Sequence, residues 1–324
     1  MSPASPRTAR APERTCPADI TSAVAMSFAD CPRPRLRLLM QMLAHHLHAF
    51  AEEVRLTEEE WSAGIRFLTE TGRVTTGERQ EFVLLSDTLG LSMLVDALQH
   101  RPDGAVDAVD AAATESTVLG PFWAAGSPLR AYGASIAERP AGVPTWVHGR
   151  VLDSAGAPVP GAELDIWQNG DDRLYAVQDA GAPEHHLRGR FRTRPDGRYA
   201  FWAVRPTAYP IPDDGPVGRM LAATGRHPWR PAHLHLRVHA SGFRPLTTHV
   251  FDADSPYLDS DTVFAVKPSL IRAFVPRAAD DPERPAGGEG GTEGGGPWFS
   301  VENDLVLSPS PTSTPSPPPS AEKE

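Results

Sequence analysis

The sequence predicts a mainly β protein, a β-sandwich preceded by an N-terminal α-helical region. Two observations carry that expectation. From Arg35 to about Arg101 apolar residues recur at three-and-four spacing, whereas after Gly120 the period drops to two, in short runs broken by Gly and Pro. The expected division is a disordered leader over residues 1–32, helices over 33–118, a sandwich over 119–307 and a disordered Pro/Ser-rich tail over 308–324.

The leader is rich in Pro and Arg and holds no uninterrupted apolar run, so it buries too little surface to order. LRLLMQMLAHHLHAF opens the helical part. Thr57 with Glu60 makes a capping box ahead of WSAGIRFL, and Thr75 with Glu78 repeats the signal before RQEFVLLSDTLGLSMLVDAL, so two or three helices are expected. Leu36, Leu39, Met40, Leu43 and Leu47 share a face suited to a two-fold interface, while His45 and His48 read as solvated or interfacial. Strand-length runs follow in TWVHGRVLD, AELDIWQ and FRTRPDGRYAFWAV, with Arg194, Pro195, Asp196 and Gly197 as a hairpin-type turn. The Gly-rich run at 287–296 reads as a flexible insertion, and SPSPTSTPSPPPS as a low-complexity tail.

Composition removes several classes of function. A formal net charge of −10 argues against nucleic acid as a partner. The two cysteines, Cys16 and Cys31, both fall in the leader, so neither a disulfide scaffold nor a thiolate metal site is supported, and a cytoplasmic protein is expected. No apolar run reaches the ~18 residues of a membrane span, so no membrane insertion is expected. What remains is a small neutral or anionic molecule in a local pocket.

The stretch WRPAHLHLRVH sets His233 and His235 two apart, on one face of a strand, about 6.6 Å apart along the backbone. Two imidazoles so placed can converge on one metal, although a hydrogen-bonded pair accounts for the motif as well. Tyrosine is scarce, five in the chain, and Tyr175 in NGDDRLYAVQD and Tyr209 in RPTAYPIPDDG occupy turn-like settings. A phenolate is a hard anionic donor that needs a strongly Lewis acidic ion, for which ferric iron is the obvious candidate.

These residues, together with LTEEEWSAGIRFLTETG, TESTVLGPFW, GRVLDSAGAPVPGAELDIWQ, AYPIP, GRHPWRPAHLH and DSPYLDSDTVFAVK, resemble the intradiol ring-cleavage dioxygenases, in particular the hydroxyquinol and catechol 1,2-dioxygenase branch. The resemblance covers roughly residues 35–307. It implies a β-sandwich catalytic domain behind a helical dimerisation region, and a homodimer in which the family often holds a phospholipid. It implies one Fe(III) per subunit on Tyr175, Tyr209, His233 and His235, with Tyr209 in the place of the tyrosinate that leaves when substrate binds. Arg230 matches the family's active-site arginine, which stabilises charge building on the ring. His249 stands where most relatives have Gln, able to donate a hydrogen bond to a bound oxygen and variable in charge near neutral pH.

By position, Leu84, Asp87, Val118, Gly120, Pro121, Phe122, Ile211 and Pro212 resemble the pocket lining of the hydroxyquinol branch. Asp87 can accept a hydrogen bond from a third ring hydroxyl, yet capping of a helix beginning near Thr88 explains it equally well. The reaction implied is O2-dependent cleavage of an aromatic diol or triol, with hydroxyquinol giving 3-hydroxy-cis,cis-muconate, and catechol or a chlorocatechol as the alternative. A non-catalytic sandwich module and a zinc hydrolase stand beside it as competing readings.

Overall fold

The computed structural model describes residues 16–77, 79–100, 112–286 and 296–310, which divide into two units at Thr69. In the first unit, α1 (Pro17–Ser27) packs on α2 (Pro34–Glu53), with Thr21 Oγ1 2.8 Å from His48 Nδ1 and Gln41 Nε2 donating to Ala25 O at 3.0 Å. This helix corrects the disordered leader expected over residues 1–32. Pro17 opens it, the Asp19 carboxylate accepts the Cys16 N–H at 3.0 Å, and packing on α2 supplies what composition alone does not show. Residues 1–15 lie outside the described residues. Of the two histidines expected to be solvated or interfacial, His45 is exposed and His48 is half-buried against Thr21 of α1.

The capping box before α3 (Glu58–Val74) forms: Glu60 Oε2 accepts the Thr57 N–H at 2.9 Å and Thr57 Oγ1 accepts the Glu60 N–H at 3.2 Å. The second box, at Thr75, does not open the next helix. Thr75 Oγ1 turns back to Thr71 O at 2.8 Å and α4 begins at Glu81 (Glu81–Thr88), while Glu78 lies outside the described residues. Gly90, at φ +74°, then breaks the segment before α5 (Leu91–Gln99), so four helices occupy residues 34–99 where two or three were expected. Asp87 falls in the last turn of α4, which removes the helix-capping explanation for it.

Two sheets form the sandwich. In the first, β1 (Pro144–Asp153) runs antiparallel to β4 (Arg198–Val204) and parallel to β11 (Trp298–Glu302) and then β12 (Leu305–Leu307), with β10 (Val275–Arg277) beyond β11. Where the chain passes from β11 to β12, a Cβ on Gly149 would lie 2.0 Å from Asn303 O, so no side chain fits there. The second sheet has the order β3 (Arg188–Arg192), β2 (Glu163–Trp167), β7 (His233–His239), β8 (Leu246–Asp252) and β9 (Ile271–Arg272). Val147, Val151, Tyr199 and Phe201 of the first sheet meet Leu164, Ile166, Phe191, Leu234, Leu236 and Val250 of the second in one core.

The turn at Arg194–Gly197 forms, with the Gly197 N–H on Arg194 O at 2.9 Å, but it closes no hairpin. β3 and β4 belong to different sheets, and Phe191 stacks on Phe201 at 4.9 Å across the sandwich. An alternating pattern states which residues face inward, not which strand lies alongside. Residues 308–310 belong to the fold rather than to a tail, since Ser308 O accepts the Arg244 N–H and the Ser310 N–H reaches Gly242 O, both at 2.9 Å. The Gly-rich stretch 287–295 and residues 311–324 lie outside the described residues. No described helix is long and apolar enough to cross a membrane.

Because Leu234 and Leu236 point into the sandwich, His233 and His235 leave β7 on its outer face. Both are nonetheless only 1% exposed. A second apolar cluster, built by Leu84 and Met93 of α4 and α5, Val217 and Leu221 of α6 (Pro216–Ala223), Ile211, Phe251 and Val263, covers that face.

Candidate metal centre

Three pieces of chain bring the site residues together. β7 supplies His233 and His235. A two-stranded ribbon of β5 (Tyr209–Pro210) and β6 (Trp229–Arg230) sets Tyr209 directly opposite Arg230. Tyr175 precedes a single 3₁₀ turn at Ala176–Gln178 and is held there by its N–H on Gln178 Oε1 at 3.1 Å.

The donor atoms converge. Tyr175 Oη lies 3.1 Å from His235 Nε2, which lies 3.1 Å from His233 Nε2. Arg230 Nη1 is 3.3 Å from Tyr209 Oη and 3.2 Å from His233 Nε2, and the two tyrosine rings are 5.3 Å apart. His233 Nδ1, 2.7 Å from Pro231 O, must donate to that carbonyl, so the Nε2 of the neutral ring presents a lone pair toward His235. Burial, with the Arg230 charge adding to it, holds the pKa of His233 well below the usual imidazole range; burial and then His233 do the same for His235. Donors that share a metal at about 2.1 Å, some 90–100° apart, stand about 3.0–3.2 Å from one another. Tyr175 Oη, His235 Nε2 and His233 Nε2 have that spacing, and Tyr209 Oη joins them through Arg230 Nη1.

The donor chemistry narrows the ion. Burial, then the neighbouring Tyr209, pushes the pKa of Tyr175 well above the ordinary phenol range, so only a strongly Lewis acidic cation would release its proton. Two phenolic oxygens with two imidazoles fit a hard trivalent ion better than zinc. Among the described residues, His233, His235 and His249 also offer nitrogens within 4.8 Å of one another, the set a zinc reading requires. His249 Nε2, however, lies 2.8 Å from His235 Nδ1, the nitrogen turned away from the converging atoms.

Of the residues proposed for the pocket, Phe122 stacks on Tyr175 at 4.5 Å and meets Tyr209 edge-on at 6.3 Å. Gly120, at φ +76°, brings the chain so close that a Cβ would sit 3.4 Å from His235 Cε1. Leu84 and Ile211 belong to the covering apolar cluster, and Val118 packs against it. Pro121 and Pro212 are half-buried. Asp87 is 4% exposed; burial raises its pKa, while a hydrogen bond from Ser92 and the Arg230 charge work the other way.

Two contributors escaped sequence reasoning, Ser92 and Asp261. Asp261 Oδ1 accepts Arg230 Nε at 3.1 Å and its Oδ2 accepts Nη2 at 3.4 Å, while the same carboxylate receives the N–H groups of Val263 and Ala265. Burial opposes the guanidinium charge, but Asp261 and the two phenolic oxygens outweigh it and raise the pKa of Arg230. Asp261 stands within DSPYLDSDTVFAVK, yet no spacing rule connects an acid to an arginine 31 residues away.

Comparison with known proteins follows the same outline. A family model described as dioxygenase matches residues 119–289, and one described as catechol dioxygenase N terminus matches residues 33–106. The chain is 49% identical to a hydroxyquinol 1,2-dioxygenase of Nocardioides simplex, over 90% of this chain and 95% of that one. It is also 49% identical to a 6-chlorohydroxyquinol 1,2-dioxygenase of Cupriavidus pinatubonensis, over 79% of this chain and 91% of the other. The crystal structure of hydroxyquinol 1,2-dioxygenase from Pseudomonas putida DLL-E4 superposes with a TM-score of 0.81 at 49% identity, covering 91% of this chain and 99% of that one.

Proposed function

The chain belongs to the intradiol ring-cleavage dioxygenases, and from that premise we propose that it opens hydroxyquinol, benzene-1,2,4-triol, between its adjacent hydroxylated carbons. Both atoms of one O2 enter the product, 3-hydroxy-cis,cis-muconate, whose keto form is maleylacetate. The observation that carries this reading is the convergence of Tyr175, Tyr209, His233 and His235 as an N2O2 donor set beside a buried arginine.

These four residues would hold one Fe(III) per subunit. Bound there, the iron would draw electron density from a chelated diolate and so make the ring reactive toward dioxygen. The chain's own residues do the rest. Phe122, Leu84 and Ile211 form apolar walls that keep out water and orient the ring. Arg230 brings a preorganised charge to the side of Tyr209, where negative charge grows as the ring takes on keto character. Asp87 accepts a hydrogen bond from the third hydroxyl, a group that hydroxyquinol and its 6-chloro derivative share and plain catechol lacks.

The iron-loaded protein is expected to be red-brown, to change colour when hydroxyquinol is added under nitrogen, and to consume oxygen faster with hydroxyquinol than with catechol or chlorocatechols. A colourless, iron-replete preparation would overturn the tyrosine ligation; faster uptake with catechol would overturn the substrate assignment.

Asp87→Leu should narrow the discrimination between hydroxyquinol and catechol by about 1–3 kcal/mol in transition-state binding, because the pocket no longer leaves a carboxylate unpaired with catechol. The same variant should unfold at a higher temperature at pH 7. Asp87 titrates above its unfolded value in the folded protein, so its cost to stability is absent below the unfolded pKa and sets in as pH rises through the folded one. The gain should therefore vanish as the pH is lowered toward about 4. Ser92 keeps a partner in Ser86 Oγ at 2.9 Å, so the substitution strands no hydroxyl. Unchanged selectivity in the oxygen electrode would remove Asp87 from the pocket.

Leu39, Leu43 and Leu47 on α2 are exposed, which supports a homodimer through this helix and an apolar face that could take a phospholipid. A monomeric mass by light scattering would overturn that. The free cysteines and the acidic charge balance support a cytoplasmic protein, a placement that fractionation would test.

A further inference from the structure

We propose that His249 is a positioning residue for His235: it accepts the Nδ1–H of that imidazole and thereby commits His235 Nε2 to the metal. The inference rests on the iron site above but concerns a residue outside the ligand set.

His235 and His249 are register partners on neighbouring antiparallel strands, so their side chains leave the sheet side by side on one face. Their rings stand nearly perpendicular, at 89° and 4.3 Å, with His249 Nε2 2.8 Å from His235 Nδ1. On the strand at the other side, Trp167 is the register partner of His235 and stacks on it at 4.7 Å and 17°. Trp167 thus holds the plane of the imidazole, and His249 sets its direction within that plane.

The proton inventory leaves one arrangement for a metal-bearing site. If His235 gives its Nε2 lone pair to a cation, the neutral ring carries its proton on Nδ1, and that proton needs an acceptor because the residue is buried. His249 Nε2 is the acceptor in place. His249 must then carry its own proton on Nδ1, a buried atom with no hydrogen-bond partner. An apolar residue at this position would strand no such group, and the Nε2 contact with His235 is the gain set against that cost. His233 receives the equivalent support from a backbone oxygen, Pro231 O. Of the two supports, only the one on His235 depends on a side chain.

Two substitutions separate acceptor from shape. His249→Gln keeps an oxygen that can accept the Nδ1–H, whereas His249→Phe keeps a flat ring and removes the acceptor. With excess chelator and loss of the visible band as the readout, the Phe variant should release iron about 10- to 100-fold faster than wild type, and the Gln variant should return most of that loss. In wild-type protein loaded with gallium(III), nitrogen NMR should find the His235 proton on Nδ1, coupled to His249 Nε2; this measurement needs no variant to fold. Wild-type iron release by the Phe variant, equally fast release by both variants, or an unprotonated His235 Nδ1 in the gallium form would each overturn the proposal. Wild-type protein that takes up no iron and shows no band would sink the iron reading and this inference with it. Wild-type protein with both iron and band, but indifferent to His249→Phe, would sink the inference alone.

Discussion

Arg230→Met is expected to lower kcat by about 10²- to 10³-fold, the loss typical of removing one preorganised charge-stabilising donor from a dry site. Iron content and the visible band should stay near wild type, since the four proposed ligands are untouched. The guanidinium is 3% exposed and divides its donors, Nε and Nη2 to Asp261 and Nη1 to Tyr209. Arg230→Lys should recover little, because an ammonium cannot span both directions at once. Turnover within tenfold of wild type, measured at matched iron content, would remove Arg230 from the chemistry.

Asp261→Asn should lower the unfolding free energy by about 3–5 kcal/mol, because it leaves a buried guanidinium without its counter-charge. That is about a fifth or more of the roughly 5–15 kcal/mol that holds a typical domain together. The mirror change, Arg230→Met, should cost less stability: Asp261 would still accept the N–H groups of Val263 and Ala265, at 3.3 and 3.0 Å. The double variant should therefore be more stable than Asp261→Asn alone, since neither charge is left buried by itself. Urea titration of the four proteins measures the cycle; simple additivity, or a loss below about 1 kcal/mol for Asp261→Asn, would show that the pair is not what holds this part of the fold.

The parts of the site legible in the sequence were those with a local signature. His233 and His235 announce themselves because a strand puts residues two apart on one face, and Tyr175 and Tyr209 because a scarce residue type falls in a turn-like setting. The capping box at Thr57 and Glu60 is local too, and it forms as expected. The box at Thr75 opens no helix, since the Thr75 hydroxyl turns back to Thr71 O and α4 begins only at Glu81, behind Gln80. The leader helix was missed because its stability comes from packing on α2, which no window of its own residues contains. Asp261, Ser92 and the contact of His249 Nε2 with His235 Nδ1 were likewise invisible, each being half of a pair whose other half lies elsewhere in the chain.

By itself the sequence determined the period of each segment, and hence which side chains of β7 face the core and which face outward. It also determined the inventory of donors, which already pointed to a hard trivalent ion. Only the tertiary structure decided that β3 and β4 enter different sheets, that the outward face of β7 is roofed by a second apolar layer, and that an arginine lies between a phenol and a carboxylate there. Those outcomes depend on contacts between distant segments. Their free energy comes from burial and charge pairing across the fold, quantities that periodicity along the chain does not encode.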